Sequence, residues 1–328
     1  MTKVKQKTAV VTGGSGHLGG NLVRTLLDRG YRVRAVVHRD RRALEGLDVE
    51  HVTGDVRDRD VMCQALDGAD VVFHLAGIVS LFSQDARLFE TNVLGTRSVV
   101  DAAIECKVPR FVHYSSVHAL ADRGGVVDED APLALDDPKM SYDRAKALSE
   151  QEVLKGVERG LDAVMVNPTA VLGPHDYKMS QLGLVLVAMC KGWMPALIEG
   201  GFNWVDARDV ADGAIRAAQT GRTGEHYLLA GQWASVRDLA ALVSKQCGKK
   251  VPRFDAPNWL VWGFSIPAEY GAKWTGTRPL VTRYMLTTLK GHRYVSHQKA
   301  AQELGYAPRS LEDTVRDTLD WYRKAEKI

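Results

Sequence analysis

Thr12-Gly13-Gly14-Ser15-Gly16-His17-Leu18-Gly19-Gly20 ends a run of β-branched and apolar residues, 8–12, and opens an amphipathic stretch, 18–28. Glycines at 13, 16 and 19 set out the pattern GxxGxxG. Each meets a physical need: a tight turn, backbone approach to an anion, and close packing of helix on strand. The start of the helix aims oriented N–H groups at that anion. Between a strand and a helix at the head of a βαβ unit, the pattern predicts a dinucleotide site formed by Gly13, Ser15, Gly16, His17 and Leu18.

Further strand-like runs follow at 32–37, 49–52, 70–75, 110–115 and 162–166, separated by amphipathic stretches such as 87–106 and 142–158. Alternation of this kind predicts an α/β fold of the Rossmann type, a doubly wound parallel sheet covered by helices on both faces. After Pro168 the rhythm changes at Gly173-Pro174, and an apparent strand at 225–229 is placed to rejoin the sheet. The expected division is a nucleotide-binding domain over 1–171, rejoined by about 203–231, and a smaller, mostly helical C-terminal substrate lobe over 172–328, interleaved with it.

With 43 basic and 40 acidic residues among 328, the net charge is only +3, so no nucleic-acid surface is advertised and a small-molecule partner is expected. Cys63, Cys106, Cys190 and Cys247 lie far apart, without metal-ligand spacing or a disulfide framework, which predicts a reducing, cytoplasmic setting and no metal site. Residues 1–7 are polar and run straight into a strand, and the apolar runs 182–190 and 259–266 are too short to span a bilayer.

The end of the second strand bears on the choice of dinucleotide, because a carboxylate there accepts from a ribose 2′-OH and repels a 2′-phosphate. Val36-Val37-His38-Arg39 carries no acid, so NADP(H) is favoured, while Asp40 turned inward would serve NAD(H). Asp55, in Gly54-Asp55-Val56, is placed either to accept from the adenine amino group or to cap the next helix. Leu75, Ala76 and Gly77 end the fourth strand with small residues that let a cofactor pass.

Tyr142 and Lys146 are four apart and share a helix face. A nearby positive charge favours phenolate and is expected to lower the tyrosine pKa, making Tyr142 a general acid and base. Ser116, with Ser115 as its understudy, ends the fifth strand on the edge where open α/β sheets bind ligands. Asn92 is expected to hold backbone or a water near Lys146. His74, His113 and His118 read as structural histidines, with His118 also a candidate substrate contact beside Val79, Ser80 and Phe82. Trp259, Trp262 and Phe264 are expected either to close over the substrate or to fill the lobe core.

Together with Asn92-Val93-Leu94-Gly95-Thr96, Asn167-Pro168, Gly173-Pro174 and Glu303-Leu304-Gly305-Tyr306, these motifs resemble the extended short-chain dehydrogenases/reductases of the NAD-dependent epimerase/dehydratase family. The resemblance is strongest to dihydroflavonol 4-reductase-like and hopanoid-associated epimerase-like proteins. It implies a Ser116/Tyr142/Lys146 triad with Asn92 as a fourth member, Pro168 near the nicotinamide, and a homodimer. In the plant reductases an arginine stands where this chain has His38, and Arg39 is the neighbouring substitute. The expected activity is reduction of a ketone or aldehyde, or oxidation of the alcohol, on a mid-sized apolar substrate. Two rivals stand beside it. A sugar-nucleotide epimerase or dehydratase would recruit Arg253, Arg278, Arg283 or Arg293 for a second diphosphate, and a dinucleotide-sensing regulator would have no use for the triad.

Overall fold

The computed structural model describes residues 6–79, 86–136, 141–275 and 281–328. Seven strands form one parallel sheet: β1 (Thr8–Thr12), β2 (Arg32–Val37), β3 (Glu50–Thr53), β4 (Val71–His74), β5 (Phe111–Tyr114), β6 (Ala163–Pro168) and β7 (His226–Leu229). Their spatial order is β7-β6-β5-β4-β1-β2-β3, so the chain winds outward from β1 in both directions. All the pairings are parallel.

The helices are α1 (His17–Asp28), α2 (Arg59–Leu66), α3 (Gly95–Glu105), α4 (Tyr142–Glu158), α5 (Gln181–Lys191), α6 (Ala207–Thr220), α7 (Val236–Cys247), α8 (Asn258–Thr275), α9 (Arg283–Thr288), α10 (Gln298–Leu304) and α11 (Leu311–Lys324). Because successive residues of a strand face opposite sides, β1 sends Ala9 and Val11 into one apolar core and Val10 into another. The first core is closed by Leu22, Val23 and Leu26 of α1 and by Val210 and Ile215 of α6. Met62 of α2, Val99 and Ala103 of α3 and Val153 of α4 close the second. Three layers result, as the sequence alternation predicts.

After β6 the chain leaves the sheet, makes Ala170–Leu172 and α5, and crosses back through Gly201–Asp206 and α6 to lay down β7. A third apolar cluster, joining Leu186 and Met189 of α5, Leu239 and Val243 of α7, and Val315 and Leu319 of α11, makes the helical lobe. Asp206 caps α6 and Ser235 caps α7, each accepting from backbone N–H groups of the first turn.

Two expectations need correction here. Cys190 and Cys247 are joined by a disulfide, with Cα atoms 5.4 Å apart across a sequence separation of 57. They end α5 and α7, which pack side by side, a proximity that residue spacing does not show. Trp259, Trp262 and Phe264 neither close a pocket nor fill a core, being 74%, 50% and 69% exposed on α8. Among the described residues, no helix is long and apolar enough to cross a membrane.

Candidate active site

The glycine turn lies against the end of β4. Thr12 and His74 are register partners, and their side chains meet at 2.7 Å through Oγ1 and Nδ1. The other His74 nitrogen shares a hydrogen bond with Thr96 of α3. Thr12 Oγ1 also accepts from the N–H groups of Leu75 and Ala76, so one hydroxyl ties the two loops together. Burial holds the His74 imidazole down at about 3, so it stays a neutral structural group.

Gly13 has φ +71, and a Cβ there would stand 2.8 Å from the Ala76 nitrogen. At Gly19 a Cβ would meet the Gly13 carbonyl oxygen at 2.3 Å, so only glycine lets α1 start this close to the turn. Gly16 is the N-cap of α1 and offers no side-chain acceptor, which leaves the first N–H groups of the helix for an anion. This cradle, which any side chain would fill, fits a dinucleotide pyrophosphate. Ser15 is buried, and its Oγ receives a hydrogen bond from Lys178 Nζ at 3.3 Å. The His17 Nε2 is engaged by the carbonyls of Gly173 and Pro174, which ties the start of α1 to that loop. Leu18 packs against the first core.

His38 and Arg39 are exposed just beyond β2. Both oxygens of Asp40 are taken by the Arg42 guanidinium, which holds the carboxyl at about 2. Asp55 is held below the usual carboxylate range by Arg57, whose backbone N–H and guanidinium both donate to it. It does not cap α2: Asp58 does, accepting from Asp60 and Val61. Val56 is buried in the second core.

Ser141 caps α4 by accepting from the Arg144 N–H, which fixes Tyr142 in the first turn and Lys146 one turn on. The Tyr142 hydroxyl lies near enough to Ser116 for that hydroxyl to favour the phenolate, while Ser116 Oγ accepts from the His118 N–H at 3.2 Å. Lys146 is 8% exposed, and its Nζ donates to the Tyr114 carbonyl at the end of β5 at 2.8 Å. Burial brings its pKa down to about 8, opposed by the charge of Glu150. The expected lowering of the Tyr142 pKa is not what the structure shows. Burial dominates and pushes the phenol up, outweighing the influence of the nearby Ser116 hydroxyl, while the Lys146 ammonium is engaged by a carbonyl.

Asn92 sits in a π-helical stretch, Phe89–Leu94, that runs into α3. Its amide closes a pair of hydrogen bonds on Ile78, accepting from the N–H at 2.7 Å and donating to the carbonyl at 2.9 Å. A Cβ on Gly77 would lie 3.2 Å from Asn92 Oδ1 and 3.9 Å from Lys146 Nζ, so the strand end, the asparagine and the lysine share one small space. Pro168 is buried at the end of β6, paired with Leu229.

His118 is half-buried beside Tyr142, its ring centroid 6.3 Å from that phenol and 5.0 Å from His292, and loss of water lowers its pKa to about 4. Val79 is 66% exposed, whereas Ser80 and Phe82 lie outside the described residues, as does Arg278.

Sequence reasoning missed three groups. Tyr284 of α9 donates to Asp143 at 2.6 Å, bringing a lobe residue to the helix that carries Tyr142 and Lys146. Lys178 reaches the glycine turn across 163 residues. Asn167 of β6 donates from Nδ2 both to the Ser116 carbonyl at 3.0 Å and to the fully buried Glu150 at 2.7 Å, stitching the serine loop to α4. Only the eight-residue spacing of Tyr142 and Glu150 on one helix face was a local signal.

Residues 9–230 match the model of the NAD dependent epimerase/dehydratase family. This chain belongs to that family. As a member, it is a nicotinamide-dependent enzyme of the extended short-chain dehydrogenase/reductase type. It is 34% identical to sterol demethylase protein B of Methylococcus capsulatus, over 98% of this chain and 100% of that one. It is also 34% identical to a putative dihydroflavonol 4-reductase of Synechocystis sp., covering 95% of this chain and 94% of the relative. Among solved structures, gox2253 superposes with a TM-score of 0.85 at 35% identity, over 98% of this chain and 100% of that one.

Proposed function

We propose that this family member reduces a ketone or aldehyde on a mid-sized apolar substrate with NADP(H), or oxidises the corresponding alcohol, with Tyr142 as general acid and base. The observation that carries the reading is the placement of Tyr142 beside Ser116, one helical turn from a buried Lys146 anchored on the end of β5, on the same sheet edge as the glycine cradle. When bound, the nicotinamide supplies the hydride in reduction and accepts it in oxidation.

In reduction, Ser116 donates to the substrate oxygen and holds it for Tyr142, which transfers its proton as the carbonyl becomes an alcohol. Burial keeps the phenol in the protonated form that reduction consumes, and positive charge nearby has to offset the higher cost of releasing that proton. Lys146, tied to the end of β5, meets the ribose side of the site and supplies positive charge as phenolate forms. Asn92 holds the loop after β4 through Ile78. In this reading Gly13, Ser15, Gly16, His17 and Leu18 carry the pyrophosphate, Asp55 and Val56 the adenine, and Leu75, Ala76, Gly77 and Pro168 the nicotinamide half.

NADP(H) is favoured because Asp40 is engaged by Arg42, leaving His38 and Arg39 at the position that meets a 2′-phosphate. The apolar substrate is supported by the name of the sterol-directed relative, and the reductive direction by that of the putative reductase. His118 and Tyr284 stand beside Tyr142 as substrate contacts. The test is a panel of sterol-like ketones, aldehydes and nucleotide sugars assayed with NADPH and with NADH. Net oxidation of NADPH with an apolar ketone is expected. Turnover of a nucleotide sugar with no net change in nicotinamide absorbance would overturn the reading in favour of an epimerase.

A further inference from the structure

Five aromatic side chains, Trp193, Phe254, Trp259, Trp262 and Phe264, are at least half exposed, and all belong to the lobe. Water-facing tryptophan and phenylalanine at this density are uncommon on a monomer surface and mark a contact. They also lie close in the fold. Asp255–Ala256 pairs with Leu197–Ile198, and the Leu197 N–H donates to the Phe254 carbonyl. The Trp193 loop and the start of α8 therefore meet at one end of the lobe.

The helix itself is two-faced. Ser265 is buried and Val261, four residues earlier, packs on the lobe core, whereas Trp259 and Trp262 share the exposed face and Phe264 is exposed on the opposite flank. Cations rim the same end: Lys191, whose ammonium lies 4.8 Å from the Trp193 ring centroid, and exposed Lys249, Lys250 and Arg253. Among the described residues none of these four pairs with a carboxylate, while of the acids beside them Asp255 is tied to Arg237 and Glu199 stands at the Leu197–Ile198 strand. Gly192 borders Lys249 directly, a Cβ there falling 3.7 Å from the lysine stem.

Exposed tryptophans on one face of a helix, rimmed by unpaired lysine and arginine, suit the headgroup boundary of an anionic bilayer: the rings enter the acyl edge and the cations meet phosphates. A soluble protein partner would be expected to offer acids in fixed register to particular cations, whereas this surface shows a diffuse basic rim around aromatic rings. We propose that α8, with Trp193 and Phe254, is a docking surface for anionic membranes on which the enzyme lies without spanning. α8 packs against α9, the helix that carries Tyr284 to Tyr142. The proposal goes beyond the reduction proposed above and does not rest on it, since membrane binding is read without turnover.

The full chain is to be floated on a density gradient with vesicles of phosphatidylcholine alone and of phosphatidylcholine with phosphatidylglycerol, at low and high salt. Wild type is expected to float with the anionic vesicles, less so at high salt. Trp259→Ser/Trp262→Ser/Phe264→Ser is expected to stay at the bottom with an unchanged far-ultraviolet spectrum. Lys249→Glu/Lys250→Glu/Arg253→Glu is expected to partition at least a hundredfold more weakly, the loss of each cation near an anionic leaflet alone being worth about fivefold. If the aromatic variant fails to fold, the charge-reversed variant and wild type decide. Wild type remaining unbound with both vesicles, or a charge-reversed variant floating as well as wild type, overturns the proposal. So does an aromatic variant that only changes the sedimentation mass, which would make the surface a contact between copies of this chain.

Discussion

A phenol buried against Ser116 and a lysine buried beneath Tyr114 are each held off their ordinary pKa by the same cause, loss of water. For Tyr142→Phe, kcat is expected to fall by about 10²–10⁴ while nucleotide affinity, read by calorimetry, is retained, because only the transferable proton is removed. Lys146 is charged below about 8 and neutral above it. An activity that needs its ammonium therefore declines as pH rises through that value, and the alkaline limb of the kcat/KM profile is expected there. An alkaline limb unchanged in Lys146→Met would assign it to another group. Arg39→Glu is expected to shift preference from NADPH towards NADH, read as the ratio of the two kcat/KM values, because it places a carboxylate where a 2′-phosphate is met.

At the level of elements, the site depends on how a strand end and a helix start are fastened together. Asn167 spans them with one amide group, donating to the Ser116 carbonyl on one side and to Glu150 of α4 on the other. Asn167→Ala leaves a buried carboxyl without that donor and releases the serine loop. The expected result is a loss of about 1–3 kcal/mol in urea unfolding together with a drop in kcat larger than any change in nucleotide affinity. Both readouts are needed, since a purely structural role would lower the unfolding midpoint and leave kcat of the folded fraction intact. The strand-helix-strand succession and the Tyr142–Lys146 turn were legible in the sequence because they rest on local periodicity. The Asn167 bridge was not, because it joins positions 17 and 51 residues apart that meet only when β5 and β6 pair.

For the molecule as a whole, two desolvated histidines set the response to acid. His74 is held at about 3 and His118 at about 4, against an ordinary value of 6.5. Between pH 6.5 and those values the unfolded chain binds more protons than the folded one, so stability is full above that window and is lost as pH falls through it. Each tenfold weakening of proton binding on folding is worth about 1.4 kcal/mol, so the combined loss on full acidification amounts to several kcal/mol. Urea midpoints measured from pH 7 down to pH 4 are expected to fall steadily, and a flat profile over that range would show that these rings do not stay neutral in the folded protein.

What the sequence determined by itself was the architecture and the candidate site: the glycine turn, the order of strands along the chain, and a tyrosine, a lysine and a serine where a parallel sheet presents its ligands. These follow from steric and periodic rules that act over a few residues. Only the tertiary structure decided which partners those residues keep. It showed that Asp40 and Asp55 are engaged by arginines two positions on, that Lys178 and Tyr284 arrive from the lobe, that Cys190 and Cys247 pair, and that the aromatic residues of α8 face outward. The physical reason is distance along the chain. For the long-range contacts, closing a loop of dozens of residues depends on the packing of whole layers, and which face of α8 meets the core is settled in the same way, since its nearly all-apolar run carries no periodicity to orient it.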